Sequence, residues 1–125
     1  MDEVNNVISL GDRVRNDVYD SLQRLIRQTS YIYKEKSNYK KSLILRNYKE
    51  LYIALYLKLI SLDKFMQLEK DKLYSDEISI IIYYGDNINK LDLNACLKLT
   101  SICSVIVRAM GITNIIYNKK DDFAI

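Results

Sequence analysis

Few residues in this 125-residue chain could carry out chemistry, because it contains no histidine. Without imidazole there are no Ser–His or Cys–His nucleophile pairs, and the commonest metal ligand is missing. Two groups of carboxylates remain, Asp71 with Asp76 and Glu77, and Asp121 with Asp122. Neither has metal-ligand spacing, a glycine-rich loop or a basic partner, so we expect ordinary surface carboxylates. The sequence therefore predicts no catalytic residue, no metal and no cofactor.

The two cysteines, Cys96 and Cys103, are seven residues apart on a predicted helix. That spacing separates them by roughly 10 Å along the helix axis, whereas a disulfide tolerates about 7 Å between Cα atoms. We expect both to be unpaired thiols buried as small apolar residues. A zinc ion shared across a subunit interface is the alternative, although two cysteines without histidine make a poor zinc site.

Positive charge is concentrated in the first half of the chain. From residue 13 to 49 there are ten basic and three acidic residues, whereas from residue 50 onward nine basic residues face ten acids. Several tyrosines interleave with the basic residues, a combination suited to phosphate contact and base stacking. A solvated helix face, or a surface for an acidic partner, is the alternative. The candidate contact residues are Arg24, Arg27, Lys34, Lys36, Lys40, Lys41 and Arg46.

Apolar residues recur every three to four positions and predict two helices in this first half. The first helix begins near Asp12, a plausible N-cap, and ends near Lys36. The second begins at Ser37 and continues as one long helix to about Lys72. The short connection between them predicts an antiparallel hairpin.

The long helix has apolar residues on more of its circumference than one neighbouring helix can cover. We therefore expect some of them to contact another subunit. The predicted assembly interface consists of Ile44, Tyr48, Leu51, Tyr52, Leu55, Tyr56, Leu59 and Leu62.

The C-terminal third is harder to assign. Ser75 to Glu77 interrupt the apolar pattern, and the β-branched run 78–84 has strand propensity but is also compatible with a buried helix. Asp92 is placed to cap a last helix from Leu93 to Met110. A second short strand is predicted at 112–117.

These patterns predict a mainly α fold in a single domain, with a basic hairpin at 12–72 and a near-neutral part at 75–125. The absence of proline and the presence of three glycines agree with long helices. The polar start of the chain has no signal-peptide core, and the apolar runs look too short to cross a bilayer. We therefore expect a cytoplasmic protein without membrane contact.

The segments 42–47 (SLILRN) and 52–62 (YIALYLKLISL) resemble the third helix of GINS subunits, particularly the Psf-one type and its archaeal counterpart. That helix carries a Leu-Arg-Asn step, an Ala-Tyr-Leu-like step and a run of leucines separated by basic residues. The preceding helix, with Leu22, Leu25, Ile26 and Tyr33, is also similar. The resemblance covers about residues 12 to 70. It implies a non-catalytic subunit of a DNA-replication hetero-oligomer that bridges the replicative helicase and its partner proteins.

Two other classes of function fit the same residues. One is a small helical nucleic-acid-binding subunit, such as the small subunit of a CRISPR effector complex. The other is a virus-encoded regulatory protein. A basic face that is fully exposed favours nucleic-acid binding, whereas basic residues interrupted by apolar subunit contacts favour the GINS type.

Overall fold

A computed structural model of the protein describes residues 10–61 and 67–110. Within these ranges the chain is helical, with no strand, so the predicted mainly α class is confirmed. The residues of the predicted strand 112–117 lie outside the described ranges. The elements are α1 (Leu10–Lys34), α2 (Asn38–Leu59), α3 (Gln67–Asp86), a 3₁₀ helix (Ile88–Lys90) and α4 (Leu93–Met110).

The predicted antiparallel hairpin is confirmed for α1 and α2, which are joined by residues 35–37 and pack along their length. Lys58 Nζ, near the end of α2, donates to Ser21 Oγ of α1 at 3.0 Å. Ser37 is the N-cap of α2, and its Oγ accepts from the Lys40 amide. Asp12, expected as the cap of α1, instead lies within that helix, because α1 begins at Leu10.

α2 ends at Leu59, so the prediction of one helix reaching about Lys72 is wrong. The amide and hydroxyl of Ser61 both donate to the Lys58 carbonyl, a local bond that competes with helix continuation. Lys70 of α3 is buried, and its Nζ donates to the Leu59 carbonyl at 2.6 Å. A side chain from the next helix therefore satisfies a carbonyl that the end of α2 leaves without an intrahelical partner.

α3 contains both Ser75–Glu77 and the run 78–84. The predicted break is therefore wrong, and of the two alternatives left open for 78–84 the structure contains the helix and not the strand. Ile81 and Tyr84 are buried and three positions apart, while Ile82 and Tyr83 are exposed. That is the burial pattern of a helix with one face on the core. Packing has overridden the strand propensity of the β-branched residues, which depends strongly on context.

α4 has the predicted bounds, and Asp92 has the predicted capping role, since its Oδ1 accepts from the Ala95 amide at 3.0 Å. The helix is also long and apolar enough to cross a membrane by length and composition, which corrects the expectation that no segment is. Burial of its apolar face in the core accounts equally well for that composition. The buried residues are Ala95, Cys96, Leu99, Thr100, Cys103, Ile106, Val107 and Met110.

Two threonines form the polar contact between α1 and α4. Thr29 Oγ1 and Thr100 Oγ1 are 3.2 Å apart, and both residues are fully buried. Each hydroxyl also lies within hydrogen-bond distance of a carbonyl of its own helix, Thr29 of Ile26 and Thr100 of Cys96. Since each hydroxyl has one hydrogen, two of these three contacts are hydrogen bonds at any moment, and each hydroxyl has at least one partner inside the core, as burial of a polar group requires.

Cys96 and Cys103 are free and buried, as predicted. Burial raises the pKa of the Cys96 thiol to about 12 and that of Cys103 further still. Because the thiolate is the reactive form, we expect both to react with a thiol reagent only as fast as the protein opens. The measurement is labelling over time in native buffer and in denaturant. Rapid native labelling of both cysteines would contradict the packing of α4.

Candidate nucleic-acid interface

The outer face of α1 carries three of the predicted contact residues. Arg24, Arg27 and Lys34 are exposed, and spacings of three and seven place them on one side of the helix. Tyr31 lies on the same side and is 47% exposed. This face presents positive charge and an aromatic ring together over the last three turns of α1.

The connection to α2 extends this surface. Lys36 and Lys40 are exposed, and Tyr39 between them is 73% exposed. The acid in this stretch, Glu35, is half-buried, and its Oε2 accepts from the amides of Lys36 and Ser37 at 3.1 Å. Its carboxylate is therefore engaged in shaping the turn. We call Arg24, Arg27, Tyr31, Lys34, Lys36, Tyr39 and Lys40 the hairpin surface.

The remaining two predicted contact residues have other surroundings. Lys41 is half-buried, and its Nζ donates to the Leu91 carbonyl at 3.2 Å, so it fastens the start of α2 to the segment before α4. Arg46 is exposed and lines a groove of about 420 Å³ between α2 and α3, together with Lys49 and Asp86. Lys41 is thus structural, and Arg46 belongs to the groove between α2 and α3.

Comparisons of the chain with protein-family models, with curated proteins and with solved structures found no match. The surfaces of the chain itself are the basis for inferring its function. The two that matter are the hairpin surface and the residues predicted for subunit assembly.

Half of the predicted assembly interface lies inside this chain. Tyr48, Tyr52, Leu55 and Leu59 are at most 1% exposed, and they pack in the core formed by all four helices. They have no surface to offer to a second subunit. The other helices cover these four residues, an arrangement that the sequence pattern of α2 alone does not reveal.

The other predicted interface residues are partly covered. Ile44 and Leu51 pack against the core at its edge. The Tyr56 hydroxyl donates to Asp71 Oδ1 at 2.5 Å, and its ring lies 4.3 Å from that of Tyr74. The hydrogen bond to Asp71 raises the pKa of Tyr56 above its usual value. The eighth residue, Leu62, lies outside the described residues.

Another apolar surface, on α2 and the residue that follows it, is exposed. Leu43 and Leu57 of α2, and Ile60 directly after the helix, face solvent, with Leu57 at 59% exposure. Leu43 and Leu57 are fourteen residues apart, close to four full turns, so they share a side of the helix. We call these three residues the outer α2 face.

A buried carboxyl, Glu77, sits between α2 and α4. It was expected at the surface with Asp71 and Asp76; those two are exposed, but Glu77 is fully buried. Its Oε2 is hydrogen-bonded to the Tyr48 hydroxyl, which also contacts the Leu99 carbonyl at 3.2 Å. Among the described residues, Glu77 Oε1 and the Tyr52 hydroxyl are buried without a hydrogen-bond partner.

The single hydrogen of the Tyr48 hydroxyl indicates whether Glu77 is protonated or ionised in the folded protein. A tyrosine hydroxyl has one hydrogen, yet that of Tyr48 lies against two acceptors. Both contacts are satisfied if Glu77 is protonated and donates to the Tyr48 oxygen, which in turn donates to Leu99. Burial agrees with this assignment, since it raises the pKa of Glu77 to about 8. Desolvation also raises the pKa of Tyr48, so we infer that the pair is neutral near pH 7.

Sequence reasoning missed the two buried ionisable residues of α3, Lys70 and Glu77. Their spacing of seven matches the helical phase of Leu73, Ile81 and Tyr84, which are buried in the part of that helix from residue 70 onward. This helical phase was the signal in the sequence that could have predicted their burial. The local composition obscures the signal, because Ser75–Glu77 resembles a break between two elements, where a carboxylate is ordinarily solvated.

Proposed function

We propose that this protein is a non-catalytic, helical nucleic-acid-binding subunit that contacts its ligand through the hairpin surface. The observation that supports this most is the exposure of Tyr31 and Tyr39 among exposed lysines and arginines. An aromatic ring exposed to this extent contributes little to the fold. Positive side chains bind phosphates, and neighbouring rings stack on bases, so the combination suits a nucleic acid better than an acidic protein.

A non-catalytic role is supported by where the perturbed ionisable groups lie. Tyr48, Tyr52, Glu77 and Cys103 have raised pKa values because they are buried in the core. Active sites also perturb pKa values, but there the groups line a cleft that admits substrate. None of these four lines the groove between α3 and the start of α4, the groove between α2 and α3, or the one between α1 and α2.

The test is to replace Arg27, Lys34, Lys36 and Lys40 together with glutamine. Each is exposed, so the fold should be retained, and Lys41 is left intact because it holds α2 to the segment before α4. We expect affinity for a short oligonucleotide to fall at least about tenfold at moderate salt. The salt dependence, measured as log K against log salt, should flatten by about 0.7 for each phosphate of a single strand that the variant no longer neutralises.

A matched control removes positive charge elsewhere. Lys72 of α3 and Arg108 of α4 are exposed and lie outside the hairpin surface, so their glutamine variants should bind nearly as the wild type does. Because the test set removes four charges and the control set two, equal losses of affinity per charge removed would indicate an effect of net charge alone. Wild-type protein that binds neither DNA nor RNA at low salt would rule the proposal out.

A scaffold subunit of the GINS type is the second candidate, and the outer α2 face favours it. Leu43, Leu57 and Ile60 expose apolar surface on the helix that carries the resemblance. Such a subunit would bridge a replicative helicase and its partners by fixing their geometry. Partner capture that survives the four glutamine substitutions but is abolished by Leu57→Asp would favour this function over direct nucleic-acid binding.

A further inference from the structure

We propose that the groove between α3 and the start of α4 is a nucleotide-binding site, with the base against Tyr83 and the phosphate near Lys90 and Lys98. This site is separate from the hairpin surface and uses different residues. The inference therefore holds or fails independently of the function proposed above.

The groove has the size and the composition of a small-molecule site. Its volume is about 700 Å³, within the range of about 300–1,000 Å³ typical of ligand pockets. Tyr84 is nearly buried and Ile80 half-buried, so both form its inner wall. Polar side chains from the 3₁₀ helix and from α4 surround them: Asn89, Lys90, Asn94 and Lys98.

Aromatic surface is available at the edge of this groove. Tyr83 is 47% exposed, and its ring meets that of Tyr84 edge to face at 5.0 Å between centroids. Lys90 Nζ lies 5.9 Å from the centre of the Tyr83 ring and 3.4 Å from its hydroxyl. The neighbouring side chains thus hold Tyr83 in place while its ring remains accessible to a planar ligand.

The charge of the groove favours an anion. Lys90 and Lys98 contribute two ammonium groups, against one carboxylate in the lining, that of Asp92, which also caps α4 through the Ala95 amide. Asn89 and Asn94 add amides that both donate and accept hydrogen bonds. A planar ring that carries hydrogen-bonding edges and an attached anion matches these groups, which is the chemistry of a nucleotide.

A free nucleotide and a nucleotide within a single strand share this chemistry, and the experiment separates them. Adenosine monophosphate, adenosine, inorganic phosphate and a single-stranded hexamer of deoxyadenylate are each titrated into ¹⁵N-labelled protein and followed by NMR. We expect saturable shifts at residues of the groove, with the monophosphate binding more tightly than adenosine or phosphate alone. A hexamer that binds at least about tenfold more tightly than the monophosphate would identify a strand as the ligand.

Variants test the two halves of the site. The double variant Lys90→Gln with Lys98→Gln should weaken binding of the monophosphate about tenfold. Tyr83→Leu should weaken it by a similar factor by removing the stacking ring, whereas Tyr83→Phe should retain most of the affinity. Lys72→Gln, on the same helix but outside the groove, is the matched control and should bind as the wild type does.

Any of three results would contradict the proposed nucleotide site. The first is the absence of a saturable shift with every nucleotide probe, and the second is unchanged affinity in the lysine and Tyr83→Leu variants. The third is binding of phosphate alone as tight as that of the monophosphate. All the substituted residues are exposed, so thermal denaturation should confirm that each variant folds. The four-glutamine variant of the hairpin surface should still bind the monophosphate. Failure of that variant to bind would place the nucleotide at the hairpin instead.

Discussion

Leu55→Asp is expected to unfold the protein. Leu55 is fully buried in the core, in the middle of α2. Truncating a buried leucine costs about 2–5 kcal/mol, and an unpaired buried carboxylate adds several more. The whole stability of a small domain is about 5–15 kcal/mol. Circular dichroism and urea denaturation of the purified variant should therefore show a largely unfolded chain.

Leu57→Asp is the matched control, two residues away on the same helix. Leu57 is largely exposed, so the same substitution should change the free energy of unfolding by less than about 1 kcal/mol. The pair separates folding from association, because failure of Leu57→Asp to bind a partner while its fold is intact would identify the outer α2 face as an interface. A folded Leu55→Asp protein would contradict the core position of α2.

The second large effect is a fall in stability with rising pH that depends on Glu77. Its pKa is about 8 in the fold and 4.5 for an unperturbed group. Between these values the folded state keeps a proton that the unfolded state has released, so raising the pH favours unfolding. The free energy of unfolding should fall by up to about 1.4 kcal/mol per pH unit in this window. The accumulated decrease by pH 8 is a few kcal/mol.

Glu77→Gln removes this titration while keeping a side chain of similar shape, whose amide can donate to the Tyr48 oxygen. Urea denaturation from pH 5 to pH 8 should show a clear decline for the wild type and a much flatter profile for the variant. Other titrating groups cancel in the difference between the two profiles. The control is Asp76→Asn, since Asp76 is the exposed neighbour. Parallel wild-type and Glu77→Gln profiles would mean that Glu77 is ionised in the fold.

The two proposed binding surfaces lie at one end of the helical body. The hydrogen bond from Lys41 to the Leu91 carbonyl joins the start of α2 to the segment before α4. The start of α2 carries part of the hairpin surface, and Lys90 and Asp92 on either side of Leu91 line the groove. A single strand that engages both surfaces would therefore have a short path between them. Each surface alone is expected to bind weakly, whereas linked contacts raise the overall affinity through effective concentration.

Features set by local chemistry could be predicted from the chain alone. Asp92 caps α4 as the sequence predicts, and Ser37 caps α2 where the sequence predicts a helix start, because a short polar side chain can bond the free amides of the next turn. The cap predicted at Asp12 by the same reasoning is wrong, since Asp12 lies within α1. The free cysteines on α4 followed from helical spacing. Burying a charged side chain is costly, so basic residues are expected at the surface. The candidate contact residues of the hairpin surface agree with this expectation and are exposed: Arg24, Arg27, Lys34, Lys36 and Lys40.

The end of α2 and the run 78–84 were hard to predict because, at each place, two local conformations were similarly favoured by the sequence. The apolar pattern of α2 runs on toward Lys72, but Ser61 and the Lys70 amine end the helix at Leu59. The run 78–84 favours a strand by composition, yet burial of Ile81 and Tyr84 against the other helices selects a helix. The Lys70 amine and the helices around Ile81 and Tyr84 are contacts from elsewhere in the chain, and with the local Ser61 bonds they decide between the alternatives.

The sequence by itself determined the mainly α class, the helical hairpin, the bounds of α4 and the basic character of the first half, since these depend on residue type and short-range spacing. Only the tertiary structure decided which apolar residues of α2 are available to a partner. It places Tyr48, Tyr52, Leu55 and Leu59 in the core, leaves Leu57 exposed, and buries Glu77 against Tyr48. The physical reason is that burial depends on all the neighbouring helices, and periodicity along one helix contains no information about how many neighbours it has.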